Sequence, residues 1–237
     1  MPELEDEVED RARPVVLPAL GATLRLAASD VYFNSWRLAP ANLVWGAVLI
    51  VALLAGPMSI IGLVALVALG LPTAGLHRMA ALISRGQPAA FSDFVDGMRR
   101  GFGPALVVAG GGIALGLVLI TNILVGFQSG SPVGWFVSAM ALWGLVALGM
   151  ALVAFWPLLG DPNREGLGLW RRLALAGIAV VGRPRRMAAI TLAVTVILAI
   201  STVLFAALLV VSVAYVAVLT SRYVLPTVDE LEGRLRR

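Results

Sequence analysis

Two runs of 35 residues, 41–75 and 187–221, contain no charged side chain. One membrane crossing takes about 20 residues. Each run is therefore too long for one ordinary crossing and too apolar for a soluble loop. Across the 237 residues 59% are hydrophobic and only 14% charged, against about 25% charged in soluble domains. A soluble fold of this size cannot bury that much hydrocarbon. Lipid can satisfy no backbone amide, so the spanning elements must be helices or a closed barrel. Continuous apolar runs without alternation select helices, and the expected class is an all-α polytopic transmembrane helical bundle.

Gly56-Pro57 divides the first run, since proline lacks an amide hydrogen and its ring collides with the preceding turn. Spans are expected at 41–55 and 58–76, with a further kink at Pro72 and a short helix over 74–84. Two better-bounded crossings follow at 104–127 and 135–156, joined by the uncharged loop 128–132. The second long run has neither glycine nor proline. Only Ser201-Thr202 suggests a break, which leads to spans at 187–203 and 204–221. Amphipathic interfacial helices are expected near 15–35, 90–100 and 165–181. In the first, Leu20, Leu24, Ala27, Ala28, Val31 and Tyr32 form the apolar stripe. An acidic tail, 1–14, precedes the single membrane domain 15–225, and a polar C-terminal tail covers 226–237.

The arginines choose between four and six crossings. All 18 basic residues are arginine. With four crossings, Arg11, Arg13, Arg25, Arg37, Arg222, Arg234, Arg236 and Arg237 lie on the translocated side. With six, every arginine is cytoplasmic and both termini are inside. Positive charge is retained on the cytoplasmic side of short flanking segments, so six crossings is the preferred count and a bacterial inner membrane the expected location. The N-terminus carries six acids in its first ten residues, the wrong sign for a cleavable signal peptide.

Chemistry has few candidates. Cysteine is absent, which excludes disulfides, thiolate nucleophiles and cysteine-ligated metals. His77, the one histidine, reads as an interfacial polar residue beside Arg78. Asp93 and Asp96 share a helix with Arg99 and Arg100 and read as surface charge pairs. No nucleophile elbow, phosphate loop or basic–aromatic interleave is present, so neither an enzyme, a cofactor nor a nucleic-acid partner is expected. The lipid bilayer is the expected partner, with a permease or other membrane protein as a further one. Polar residues within the spans remain: Thr121, Asn122, Thr191, Thr195 and Ser201 are candidates for interhelical contacts or for lining a cavity. Asn122 carries two donor hydrogens and one acceptor oxygen amid hydrocarbon, and is expected to face the bundle. The glycines of the third crossing, Gly110-Gly111-Gly112, Gly116 and Gly126, should allow close helix contact, and Trp45 and Trp143 lie deeper than the interfacial tryptophans.

Several stretches recur in a familiar order. Asn42-Leu43-Val44-Trp45, with Gly56-Pro57 behind it, is followed by Leu71-Pro72-Thr73-Ala74-Gly75-Leu76. Then comes Phe91-Ser92-Asp93-Phe94-Val95-Asp96-Gly97-Met98-Arg99-Arg100. This order resembles the bacterial YesL-like membrane proteins, a family of unknown molecular function, and its specific part is 42–102. The resemblance implies a small all-helical inner-membrane protein. Some relatives are encoded near genes for carbohydrate uptake or polysaccharide breakdown, which implies an accessory role in sugar import. The residues themselves leave open two alternatives, a small-solute transporter or channel and a structural membrane protein that handles no solute.

Overall fold

The computed structural model describes residues 17–56 and 59–235; the acidic segment 1–14 and Pro57 lie outside them. Ten helices are used below. They are α1 (Leu20–Phe33), α2 (Ser35–Ala55), α3 (Ile60–Ala68), α4 (Gly70–Ser84), α5 (Phe91–Arg100), α6 (Phe102–Gln128), α7 (Pro132–Gly160), α8 (Leu169–Gly182), α9 (Pro184–Val203) and α10 (Val213–Leu235). A short helical turn, Phe205–Ala207, and a π-helical turn, Leu208–Ser212, lead into α10. There is no sheet among the described residues. Six helical segments are long and apolar enough to cross a membrane: Ser35–Ala55, Ile60–Ser84, Phe102–Gln128, Pro132–Gly160, Pro184–Val203 and Phe205–Leu235. The protein is a polytopic integral membrane helical bundle.

The spans run from 20 to 31 residues, each longer than the span expected there, because the helices continue into flanking arginines and polar turns. The chain breaks at Gly56, whose φ of 82° lies in the left-handed region. Ser59 then caps α3 by accepting a hydrogen bond from the Gly62 amide at 2.9 Å.

The expected kink at Pro72 is displaced. The break lies at Leu69, and Pro72 occupies the first turn of α4, where its missing amide costs no helical bond. Residues 74–84 are consequently not a separate helix but the second half of one segment, Ile60–Ser84. In the second long run the helix ends at Leu204, with the π-helical turn beyond it. The polar stretch after Leu225 stays helical to Leu235, through Pro226.

Burial is uneven. In the most apolar stretch of the last segment 71% of residues are buried, against 6% in α6 and 11% in α7. α10 and α4 thus form the centre, with Leu76, Met79, Val218, Leu219 and Val224 essentially inaccessible. α6 and α7 pack on each other and present Leu115, Val118, Trp135 and Trp143 outward. Those exposed aliphatics face lipid, where they cost nothing.

The short helices occupy the expected stretches. α1 buries Ala27 and Val31 of its apolar stripe together with Thr23, Leu20 and Leu24 pack against the edge of the core, and of the stripe only Ala28 and Tyr32, the latter 75% exposed, point away from it. Its Asp30 receives Arg222 of α10 at 2.8 Å. In α5, Phe94 is fully buried and packs on Gly75 of α4. Asp93 accepts a hydrogen bond from the Ala90 amide at 2.7 Å, and so caps the helix as well as adding surface charge.

Candidate functional site

A lateral groove of about 580 Å³ lies between α2, α4, α7, α9 and α10. Trp45, Leu49 and Leu53 line it at four-residue steps, the spacing that keeps side chains on one helix face. α7 supplies Leu152, Val153 and Trp156, and α9 supplies Thr191, Thr195, Leu198 and Thr202. None of its lining residues is an aspartate, glutamate or arginine. The walls are mostly hydrocarbon, with threonine hydroxyls along α9 and a bonded polar cluster at one pole.

That pole is built on α4. The Trp45 indole Nε1 donates to Thr73 Oγ1 at 3.0 Å, and Thr73 Oγ1 donates to the Leu69 carbonyl at 2.7 Å. His77, one turn on, is 4% exposed. Its Nδ1 lies 2.9 Å from the Thr73 carbonyl oxygen. A carbonyl can only accept, so Nδ1 carries the proton in this arrangement. Nε2 is left as an acceptor beside Thr220 Oγ1 at 3.4 Å, while that hydroxyl donates to the Val216 carbonyl at 2.8 Å. Trp156 stands over the imidazole with ring centres 6.1 Å apart. Next along the same helices, Met79, Ala80 and Leu158 are fully buried, and the groove goes no further in that direction.

His77 is therefore a buried wall residue of the groove. Sequence reasoning missed it because its burial is imposed by α7 and α10, more than 70 positions away. The signal that was present is the four-residue step from Thr73 to His77.

The candidate polar residues separate into two groups. Thr191 and Thr195 line the groove together, although Thr195 Oγ1 already donates to the Thr191 carbonyl at 2.9 Å. Ser201 is buried close by and donates to Ser212 Oγ at 2.7 Å, tying α9 to the π-helical turn. Thr121 and Asn122 are not part of this assembly; both are exposed on α6, so the expectation that Asn122 faces the bundle does not hold in the single chain. Of the α6 glycines expected to allow close helix contact, Gly110, Gly112 and Gly116 make ordinary contacts and Gly111 faces open space. The close approach is at Gly126, where a Cβ would stand 2.5 Å from the Gly134 carbonyl oxygen. Trp143 is 70% exposed and lines no cavity.

A second polar assembly closes the arginine-rich end. Asp161, wholly inaccessible, receives Arg85 at 2.8 Å and also binds Arg164. Asp229 of α10 receives the same two guanidiniums, at 2.6 Å from Arg85 and 2.7 Å from Arg164. Glu232 adds a third carboxylate to Arg164 at 2.5 Å. Burial works against charge on Arg85, but the hydrogen bonds to Asp229 and Asp161 outweigh it and hold its pKa above the ordinary arginine value. Arg164 is raised in the same way, burial being overcome by Asp229 and Glu232. Arg172 differs: burial lowers its pKa, with Glu165 and Asp161 only partly opposing.

Among the described residues no group of three or more histidine, aspartate or glutamate side chains is placed to hold a metal ion. Comparison of the chain with protein-family models, with curated proteins and with solved structures gives no match.

Proposed function

We propose that the protein is an accessory membrane component that holds an apolar or amphiphilic segment in its lateral groove, and not a conduit for a hydrophilic solute. One observation carries this reading: the groove is lined mostly by hydrocarbon, has no aspartate, glutamate or arginine in its lining, and offers few polar groups, the cluster at Trp45, Thr73, His77 and Thr220 and the α9 hydroxyls of Thr191, Thr195 and Thr202. Ligand pockets of about 300–1,000 Å³ with few convergent polar groups suit such guests. A sugar needs many hydrogen-bond partners along its whole path, and burying its hydroxyls unpaired costs about 1–3 kcal/mol each.

Membership of the YesL-like family and a role beside carbohydrate uptake belong to this proposal. Their support is the order of the motifs at 42–102, whose members meet: Trp45 bonds Thr73, and Phe94 packs on Gly75. In this reading the protein sits in a bacterial inner membrane and contacts a permease through its lipid-facing surface.

The test pairs two measurements. Purified protein in sealed vesicles should carry no sugar flux, while a strain lacking the chain should lose uptake and native-membrane pull-down should recover a permease. Flux from the purified protein alone would replace this reading with a small-solute transporter. Unchanged uptake without a recovered permease would remove the carbohydrate role.

A further inference from the structure

A cavity of about 370 Å³ lies at the arginine-rich end, between α4, α5, the end of α7 and α8. Three arginines line it, Arg78, Arg100 and Arg172, with Glu165 the single carboxylate. Two glycines let the helices close around it. A Cβ on Gly97 would stand 2.6 Å from Arg78 Cβ, and one on Gly160 2.4 Å from the His77 backbone.

The charges do not balance within it. Glu165 is shared, binding Arg78 and also Arg100 at 2.5 Å. Arg172 is 6% exposed, yet its Nη2 reaches only main-chain oxygens, those of Arg164 at 2.9 Å and Glu165 at 3.1 Å. The Nε atoms of Arg78 and Arg172 are buried without a partner. Elsewhere at this end, Arg85 and Arg164 each hold two or more carboxylates. Three guanidiniums against one carboxylate leave an excess of two positive charges. A buried guanidinium without a carboxylate is costly unless an anion reaches it.

We infer that this cavity binds a phosphate-bearing anion, held by Arg78, Arg100 and Arg172, with Glu165 as the intramolecular competitor that the anion displaces. Guanidinium forks match phosphate oxygens two at a time. Arg172 is fixed in advance by its carbonyl partners, and Arg100, whose side chain is 59% exposed, closes from the rim. Basic pockets between membrane helices take the head groups of anionic lipids by the same chemistry.

Thermal unfolding of the full chain in nanodiscs tests this in two arms. The first uses phosphatidylcholine discs and compares inorganic phosphate with chloride at matched ionic strength. The second uses phosphatidylglycerol discs in phosphate-free buffer. The midpoint should rise above the control in at least one arm. Glu165→Gln should respond at roughly fivefold lower ligand, because a like charge has left the site, and Arg100→Gln should lose the response. A rise with phosphatidylglycerol alone assigns the anion to a lipid head group, and a rise with inorganic phosphate assigns it to a free anion. No rise in either arm, for wild type and Glu165→Gln alike, overturns the inference, as does an undiminished response in Arg100→Gln. The wild-type arms decide the matter even where a variant fails to fold.

Discussion

Asn42 shows how one side chain repairs a helix that a sequence cannot visibly break. Its Nδ2 donates to the Leu209 carbonyl at 2.6 Å and its Oδ1 accepts from the Ala214 amide at 2.7 Å. Both backbone groups belong to the stretch around the π-helical turn, where regular helical bonding is interrupted. Unpaired in the bilayer, each costs about 1–3 kcal/mol. Asn42→Leu should therefore lower stability by about 2–3 kcal/mol, read as a fall in the thermal unfolding midpoint in detergent. Asn122→Leu is the contrasting variant. Asn122 is exposed on α6, and surface changes usually stay within about 0.5 kcal/mol, so that midpoint should hold. A marked drop for Asn122→Leu would place a second protein surface on that face. Both asparagines lie in apolar runs and look alike in sequence. What separates them is a partner 167 positions away, which local pattern does not reveal.

At the scale of elements, space decides which glycines matter. α4 and α5 touch through Gly97, where a Cβ would meet Arg78 Cβ at 2.6 Å and Gly75 Cα at 2.9 Å. Gly97→Ala should force the two helices apart and cost about 1–3 kcal/mol, the usual range for overpacking. Gly111 has nothing within 4 Å. Gly111→Ala should instead stabilise α6 by up to about 1 kcal/mol through helix propensity alone. Denaturant titration of both variants checks the opposite signs. The elements were legible to different degrees for physical reasons. Gly56-Pro57 announces its break because proline's missing amide is a local property. The end of α9 at Leu204 has no such mark, and its geometry depends on Asn42 and on the Ser201–Ser212 hydrogen bond. The groove was half legible: Thr191 and Thr195 were found as polar residues in a span, whereas His77 joined them only through packing.

For the whole molecule, the closing contacts place the C-terminal end of α10 with the arginine-rich loops. Asp229, Glu230 and Glu232 bind Arg85, Arg164 and Arg183 there. Six spans then put residues 129–131 at the opposite end. Retention of arginine on the cytoplasmic side gives the direction. A reporter fused after Arg237 should stay cytoplasmic, and one inserted at Gly130 should be translocated. The reverse pattern would defeat the assignment.

The depth of the last segment also governs the order in which the protein can be made. Residues 205–235 are the most enclosed of the six spans and follow the other five along the chain. Until they arrive, five inserted helices surround a place that only lipid or an insertion factor can fill. A chain stopped after Leu204 should enter the membrane yet be cleared by quality-control proteases, and supplying 205–237 as a separate peptide should slow its loss in a pulse–chase experiment. Assembly in this sense should be committed when the sixth of these spans arrives rather than accumulated helix by helix.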